Sequence, residues 1–196
     1  MNVPVAAASA QAAAPFIAPG ATLGVLGGGQ LGRMFVQAAQ RLGYRTVVLD
    51  PDPASPAGQV AERHIVAGYL DAEGLADLAD AADAITTEFE NVPAAALLRL
   101  AASCRVAPGP EPVAICQDRA AEKALFVRCG VPCAPHASIA SAAERDAVDA
   151  ALLPGILKTA RLGYDGKGQA RVGTRAELAV AWRELGGVPC VLEQLL

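Results

Sequence analysis

The alternation of short apolar runs with helix-spaced stretches is the feature of this sequence that most restricts its fold. Buried strands are predicted at residues 22–26, 46–49, 64–66, 84–87 and 105–107. Helices are predicted between them at residues 30–42, 71–80 and 93–102. Strands and helices that alternate through short connections favour a parallel α/β sheet, because each crossover lays its helix on one face.

This rhythm changes after residue 108. Two helices are predicted near residues 111–117 and 119–129, and strands at 155–159, 169–172 and 190–194. Two capping boxes, beginning at Ser141 and Thr174, predict further helices. We therefore divide the chain into an Ala/Pro-rich disordered tail (1–20), a first domain (21–116) and the beginning of a second domain (117–196).

Charge and composition restrict the possible partners. The sequence has 16 Lys+Arg and 20 Asp+Glu, a net charge of −4, so a dominant basic surface for nucleic acid is not expected. The uncharged segment 1–32 contains no apolar run of the ~18 residues needed to span a membrane, and no basic region of a signal peptide. The five cysteines form no CxxC pair, so free thiols in the cytoplasm and no metal site are expected.

A glycine motif follows the first predicted strand. Gly27, Gly29 and Gly32 have the G-x-G-x-x-G spacing and open a helix. Asp50 ends the next strand, where a dinucleotide-binding fold places its ribose-binding acid. The motif predicts a nucleotide or sugar-phosphate site. A glycine turn that only lets helix and strand pack closely is the alternative.

A second glycine cluster lies in the other half of the chain. Lys158 ends an apolar strand, and the sequence Gly-Tyr-Asp-Gly-Lys-Gly-Gln follows at 163–169. Its glycines suit a hairpin lid whose backbone N–H groups close over phosphates. It is not a Walker A loop, because no helix follows Gly168 and no Ser or Thr follows Lys167. A glycine-rich surface hairpin is the alternative.

Acidic residues follow the fourth predicted strand. Glu88 and Glu90 stand at the carboxyl end of the sheet, where ligands bind in doubly wound folds. They are candidates to receive a substrate amine or hydroxyl, and a solvated acidic loop is an equally good interpretation.

Taken together and in this order, the motifs resemble one family. Gly-Gly-Gly-Gln-Leu-Gly-Arg-Met at 27–34, Thr-Glu-Phe-Glu-Asn at 87–91, Asp-Arg at 118–119, Lys158 and the loop 163–169 resemble the 5-(carboxyamino)imidazole ribonucleotide synthases. These are ATP-grasp ligases of purine biosynthesis. The resemblance implies a Rossmann-like pre-ATP-grasp domain followed by the first part of an ATP-grasp domain. It also implies a reaction in which ATP phosphorylates bicarbonate, and the amine of 5-aminoimidazole ribonucleotide takes the carboxyl group from carboxyphosphate.

The resemblance also implies which residues form the site. The ATP-binding residues would be Arg119, Lys158, Gly163, Tyr164, Asp165, Gly166, Lys167, Gly168, Gln169, Glu193, Gln194, Leu195 and Leu196. Tyr164 and Asp165 would be catalytic. By similarity to a sister enzyme that acts on glycinamide ribonucleotide, the substrate-binding residues would be Gln30, Leu31 and Glu88.

The resemblance sets limits as well. Family members continue for about as many residues again and supply the Mg²⁺ ligands there, so no metal ligand is expected in these 196 residues. We therefore expect negligible synthase activity from this chain alone. A homodimer is possible, since family members are often dimers.

Two other functions compete with this interpretation. An NAD(P)-dependent oxidoreductase would use the glycine motif and Asp50, but it leaves Lys158 and the loop 163–169 unexplained. A non-catalytic nucleotide- or sugar-phosphate-binding module is the third possibility.

Overall fold

The computed structural model describes residues 16–163 and 166–195. The first sheet and its helices comprise β1 (Thr22–Leu26), α1 (Gln30–Arg41), β2 (Arg45–Leu49), β3 (Arg63–Ile65), α2 (Ala72–Ala81), β4 (Ala84–Thr87), α3 (Ala94–Leu100) and α4 (Pro110–Cys116). The remaining elements are α5 (Arg119–Arg128), β5 (His136–Ile139), α6 (Ala142–Asp146), a 3₁₀ turn (Ala150–Leu152), β6 (Gly155–Thr159), β7 (Gln169–Val172), α7 (Arg175–Glu184) and β8 (Cys190–Gln194). Most of the tail predicted to be disordered lies outside the described residues.

The first sheet is parallel, with strand order β3-β2-β1-β4. Its strands are buried on both faces. Val25 and Val48 pack against Val36 of α1, whereas Leu26 and Leu49 belong to the core that contains α2 and α3. Adjacent residues of a strand point to opposite faces, so helices cover both sides of this sheet. The predicted parallel α/β architecture is confirmed.

Two local predictions for this domain were wrong in detail. Residues 105–107 do not form a full strand, because only Val106 makes a parallel bridge, to Ile85. Pro108 follows two residues later, and proline has no N–H with which to extend a ladder. Pro93 was expected inside the first turn of its helix, but it is the N-cap residue and α3 begins at Ala94.

The second sheet is antiparallel, with strand order β5-β8-β6-β7. Leu157 of β6 and Leu192 of β8 pack with Leu178 of α7 in one buried cluster. Strand β5 was missed in the sequence, because four residues of mixed polarity give little periodic signal and the strand depends on its pairing with β8. Both predicted caps form, since Ser141 and Thr174 each accept an N–H hydrogen bond three residues ahead.

The segment 117–119 connects the two sheets and is held at both ends. The Gln117 side chain donates to the backbone oxygen of Glu90 at 2.6 Å. The backbone N–H of Arg119 donates to the oxygen of Ala160 at 2.8 Å. Asp118 caps α5 and pairs with Arg161 at 3.0 Å. These bonds place the first turn of α5 beside the end of β6.

The five cysteines are free thiols. Across residues 16–163 and 166–195, every helix is too short or too polar to cross a lipid bilayer.

Candidate functional site

The glycine turn between β1 and α1 has the geometry that its spacing predicts. Gly27 has φ +103°, a conformation that strains residues with a side chain. A Cβ added at Gly32 would lie 2.9 Å from the backbone oxygen of Gly27. Gly27 is therefore required by the backbone conformation of the turn, and Gly32 allows the helix to pack closely on the strand.

Asp50 does not act as the ribose-binding acid of a dinucleotide site. It is 8% exposed. Its Oδ2 accepts from the Gly28 N–H at 2.7 Å and from the Tyr69 hydroxyl at 2.6 Å. Its Oδ1 accepts from the Asp52 N–H at 2.8 Å. The carboxylate holds the glycine turn and is not presented to a ribose, which removes the basis of the oxidoreductase interpretation.

Tyr69 was missed in the sequence because no motif marks it. Burial raises the pKa of its hydroxyl, and the hydrogen bond and charge of Asp50 raise it further, followed by the charge of Glu88. Tyr69 is therefore a neutral donor at physiological pH. Its ring lies edge-on to Phe89, with ring centroids 6.3 Å apart.

Glu88 lies over the start of α1. Its Oε2 accepts from the Gly29 N–H at 3.2 Å. A Cβ added at Gly27 would lie 2.8 Å from the same oxygen, so the glycines make room for this carboxylate. A carboxylate is favoured at a helix N-terminus, where unpaired N–H groups point outward.

The three predicted substrate residues therefore meet at the carboxyl end of the first sheet. Gln30 and Leu31 form the first turn of α1, directly after the glycine that Glu88 contacts, and the Leu31 side chain is 62% exposed. A cleft of about 330 Å³ opens beside Glu88 and reaches Val113 and Cys116 of α4. Glu90 is exposed, and its backbone oxygen accepts from Gln117.

A cluster of three charged side chains lies where α5 packs on the second sheet. Leu157 and Leu192 face α7, so their neighbours Lys158 and Glu193 face the opposite side, toward α5. Lys158 Nζ is 2.8 Å from Oε2 of Glu193, and Lys123 Nζ of α5 is 3.4 Å from its Oε1. All three side chains are largely buried, with exposures of 22%, 14% and 12% for Lys158, Glu193 and Lys123.

The electrostatics of this cluster favour an anionic ligand. Burial alone would raise the pKa of Glu193, but the hydrogen bond and charge of Lys158, then the charge and hydrogen bond of Lys123, hold it below its ordinary value. Two ammonium groups and one carboxylate leave an excess positive charge. Lys123 was missed in the sequence, although it stands one helical turn after Arg119 on α5, the spacing that places two side chains on one face.

The glycine loop at 163–169 lies between β6 and β7. Gly166 and Gly168 have φ +78° and +70°. The Gly168 oxygen accepts from the Thr159 N–H at 2.8 Å, which closes the base of the hairpin. Gln169 is paired with Lys158 across the sheet, and Lys167 is exposed.

Arg119 lies beside this base. A Cβ added at Gly163 would lie 3.7 Å from Nη2 of Arg119, and Nε of Arg119 donates to the backbone oxygen of Thr159 at 3.5 Å. Arg119 and the start of the loop are therefore neighbours of the strand end that carries Lys158. Tyr164 and Asp165, predicted to be catalytic, and Leu196 lie outside the described residues.

The strand end after Glu193 is oriented differently. Gln194 turns its side chain away from the lysines and donates to the backbone oxygen of Ala151 at 3.0 Å. The Leu195 N–H donates to the oxygen of Pro154 at 3.0 Å. Among residues 193–195, Glu193 is the one that directs its side chain at Lys158. Within residues 16–163 and 166–195, no group of three or more His, Cys, Asp or Glu side chains is arranged to hold a metal ion.

Comparison with known families agrees with both halves of this structure. Residues 20–117 match the ribonucleotide synthetase preATP-grasp domain, and residues 124–196 match the ATP-grasp domain. The N5-carboxyaminoimidazole ribonucleotide synthase of Brucella melitensis is 46% identical over 178 residues, which cover 89% of this chain and 49% of that protein.

Solved structures give the same result. The N5-carboxyaminoimidazole synthetase of Staphylococcus aureus complexed with ADP has a TM-score of 0.85 at 37% identity, covering 92% of this chain and 48% of that one. The enzyme of Aspergillus clavatus in complex with ADP and 5-aminoimidazole ribonucleotide has a TM-score of 0.79 at 30% identity, covering 90% and 46%.

The chain spans about half the length of the relatives that it matches. The match begins in the pre-ATP-grasp domain and extends into the ATP-grasp domain. The chain therefore belongs to the ribonucleotide synthetase preATP-grasp family and is a homologue of the N-terminal part of the N5-carboxyaminoimidazole ribonucleotide synthases.

Proposed function

We propose that this chain provides the ribonucleotide pocket and one wall of the ATP site of an ATP-grasp ligase. The ligase carboxylates 5-aminoimidazole ribonucleotide with bicarbonate and ATP, and it releases ADP and phosphate. The observation that carries the proposal is the ion-pair cluster of Lys158 and Glu193, on one face of the second sheet, with Lys123 of α5, at the base of a glycine hairpin. A relative described as an ADP and 5-aminoimidazole ribonucleotide complex has the same fold over this region.

The chemistry requires two successive transfers. An oxygen of bicarbonate attacks the γ-phosphorus of ATP, the bond to the β-phosphate oxygen breaks, and ADP leaves. The amine of 5-aminoimidazole ribonucleotide then attacks the carbonyl carbon of carboxyphosphate, the bond to the phosphate oxygen breaks, and the nitrogen gives up a proton. Phosphoryl transfer depends on positioning and on neutralising phosphate charge, and the acyl phosphate must be kept from water.

The residues of this chain suit the first transfer. Lys158 supplies positive charge from the fixed side of the sheet, and Arg119 supplies it from the first turn of α5. The hairpin, with Gly163, Gly166, Lys167, Gly168 and Gln169, covers the phosphates and excludes water when it closes. The backbone of residues 193–196 receives the adenine. We also place Tyr164 and Asp165 near the carboxyl transfer, and only the sequence motif supports this placement.

The first domain suits the ribonucleotide. Gln30 and Leu31 form the wall of the pocket at the start of α1. Glu88, held by the Gly29 N–H, accepts a hydrogen bond from the substrate amine and so orients its lone pair toward the carbonyl carbon. The N–H groups of the first turn of α1, which have no partner within the helix, favour the substrate phosphate.

Further parts of the proposal rest on the sequence pattern, namely a tail at 1–20, domains at 21–116 and 117–196 and a cytoplasmic location. A homodimer and Mg²⁺ supplied with ATP rest on the family resemblance. The described residues contain no cluster that suits a metal ion, so no step here is assigned to Mg²⁺.

Calorimetric titration of the 196-residue chain tests the binding sites. We expect binding of ADP and of 5-aminoimidazole ribonucleotide, and none of NAD. NAD binding that Asp50→Ala abolishes would contradict the proposal in favour of an oxidoreductase. Failure to bind both ADP and the ribonucleotide would also contradict it.

A chimera tests the reaction. This chain would replace the matching half of the Brucella melitensis relative, with which it is 46% identical. We expect ribonucleotide-dependent phosphate release from ATP by the chimera, its loss in Lys158→Ala, and negligible release by the 196-residue chain alone. A folded chimera that binds both ligands without turnover would favour a non-catalytic module instead.

A further inference from the structure

Asp50 and Tyr69 hold the glycine turn, and neither has a part in the proposed function. Asp50 Oδ2 receives two donors, the Gly28 N–H and the Tyr69 hydroxyl. The Gly28 oxygen is held as well, because the Ala57 N–H donates to it at 2.8 Å. The peptide groups on both sides of Gly28 are therefore fixed from the carboxyl end of the sheet.

Gly28 also lacks space in which to move. A Cβ added there would lie 2.6 Å from Cβ of Ser55 and 2.8 Å from Cβ of Asp50. This close packing favours one conformation of the turn, in which the Gly28 N–H is directed at Asp50 and the Gly29 N–H at Glu88. The next two residues along the chain are Gly29, which holds Glu88, and Gln30.

Tyr69 also contacts the acidic loop. Its ring packs edge-on against Phe89, the residue after Glu88, at an interplanar angle of 63°. The Phe89 oxygen accepts from the Thr87 hydroxyl at 3.0 Å, which fixes the same loop from its other side. One side chain is thus linked to both parts of the proposed pocket, because its hydroxyl bonds the carboxylate that holds the glycine turn and its ring packs on the Glu88 loop.

We propose that Tyr69 is a positioning residue for the ribonucleotide. Through Asp50 it holds the Gly28 N–H of the glycine turn, and through Phe89 it supports the loop that carries Glu88. The inference rests on the proposed function, since it assigns the pocket of Gln30, Leu31 and Glu88 to that substrate. Tyr69 lies behind the turn and touches no reacting atom in this proposal.

Removal of the hydroxyl leaves a defined defect. In Tyr69→Phe, Asp50 Oδ2 loses one of its two donors while the carboxylate stays buried. A buried charged acceptor that loses a donor turns toward another partner or admits water. Either change shifts the Gly28 N–H that shares this oxygen, and the ring contact with Phe89 is retained. The defect is therefore confined to the glycine turn.

The test compares Tyr69→Phe with Tyr44→Phe, a matched control in the same domain. Tyr44 also donates one hydrogen bond, to the backbone oxygen of Ile17 at 2.8 Å, and lies away from the turn. Each variant of the 196-residue chain is titrated with 5-aminoimidazole ribonucleotide and with ADP at a temperature where circular dichroism reports it folded. We expect about a tenfold rise in the Kd of the ribonucleotide for Tyr69→Phe, which is about 1.4 kcal/mol, and an unchanged Kd for ADP.

Two further measurements separate positioning from general loss of structure. The amide proton resonances of Gly28 and Gly29 should shift in Tyr69→Phe and stay in place in Tyr44→Phe. Phe89→Leu, which removes the ring contact with Tyr69 and also trims the wall of the cleft beside Glu88, should weaken ribonucleotide binding and spare ADP. Equal losses for both tyrosine variants, or loss of ADP binding together with ribonucleotide binding, would overturn the inference.

The outcome for the wild-type chain distinguishes this inference from the proposed function. Binding of the ribonucleotide by wild type and by Tyr69→Phe with equal affinity would overturn the positioning role alone. Wild-type binding of ADP without the ribonucleotide would contradict the proposed pocket and the inference that rests on it.

Discussion

Nζ of Lys158 lies 2.8 Å from Oε2 of Glu193 on the neighbouring strand, and both side chains are largely buried. Lys123 approaches the other oxygen of the same carboxylate at 3.4 Å. A phosphate that binds Lys158 therefore competes with Glu193 for the ammonium group, and Lys123 keeps the carboxylate partnered when Lys158 turns to the phosphate. In the proposed function, this ion pair is the arrangement of the site before a nucleotide binds.

Lys158→Met should weaken ADP binding without unfolding the chain. A hydrogen bond to a charged group contributes about 1.5–3 kcal/mol, which corresponds to a rise in Kd of about 10- to 100-fold. Calorimetry measures the Kd, and thermal unfolding checks the fold. Arg175→Met is the control, because it removes a cation from α7, on the other face of the same sheet. Global loss of structure in Lys158→Met would make Lys158 a structural residue instead.

Lys123→Met should have a smaller effect on ADP affinity, of a few-fold. With Lys123 removed, Glu193 loses one of its two lysine partners and binds Lys158 more tightly. Lys158 is then less available to the phosphate, so ADP affinity falls. Because both lysines share one carboxylate, their effects should not add, and a double-mutant cycle in ADP affinity should give a coupling of about 0.5–1 kcal/mol. Additive effects of the two substitutions would show that the lysines act separately.

The pH dependence of stability should report on Glu193. The pKa of this carboxyl is lowered in the folded chain, so its contribution to stability is present above the ordinary value of 4.5 and is lost as pH falls through the folded pKa. The difference in unfolding free energy between wild type and Glu193→Gln should therefore shrink between pH 7 and pH 3. Urea denaturation at several pH values measures it.

The lysines supply the control for that experiment. In the background of Lys123→Met with Lys158→Met, the two charges that lower the pKa of Glu193 are gone. In that background, the change in unfolding free energy caused by Glu193→Gln should depend much less on pH. An equal pH dependence in both backgrounds would mean that other groups dominate.

Gly168→Ala should impair the glycine hairpin specifically. Gly168 has φ +70°, and an added Cβ would lie 2.6 Å from Oγ1 of Thr159. Gly130 has φ +72° with nothing within 4 Å of its added Cβ, so Gly130→Ala carries the backbone strain alone, about 1–2 kcal/mol. Both variants should lose stability, and only Gly168→Ala should weaken ADP binding several-fold. Equal ADP affinities in the two variants would show that the base of the hairpin does not contribute to nucleotide binding.

The elements of the first domain could be predicted because their signals are local. Runs such as Thr22–Leu26 are mostly apolar, and Asp71 caps α2 as its position indicates. Strand β5 could not be predicted in the same way, since its four residues are a strand only in contact with β8. The fifth strand was predicted too long, because within 105–107 only Val106 is bridged to the neighbouring strand, at Ile85.

The candidate site divides in the same way. The motifs identified Lys158, Glu88 and the glycines, because the required backbone conformations and the order of motifs are written in neighbouring residues. Lys123 and Tyr69 carry no motif, and their importance comes from distant partners, Glu193 and Asp50.

The sequence by itself determined the order of strands and helices from β1 to α3, the glycine motifs and the family. These depend on side-chain periodicity and backbone sterics over a few residues. Only the tertiary structure decided that Asp50 clamps a turn instead of facing a ligand, and that Lys123 and Lys158 share one carboxylate. Such pairings depend on which faces of helix and sheet meet, and on a balance of burial and charge that exists only after the chain has packed.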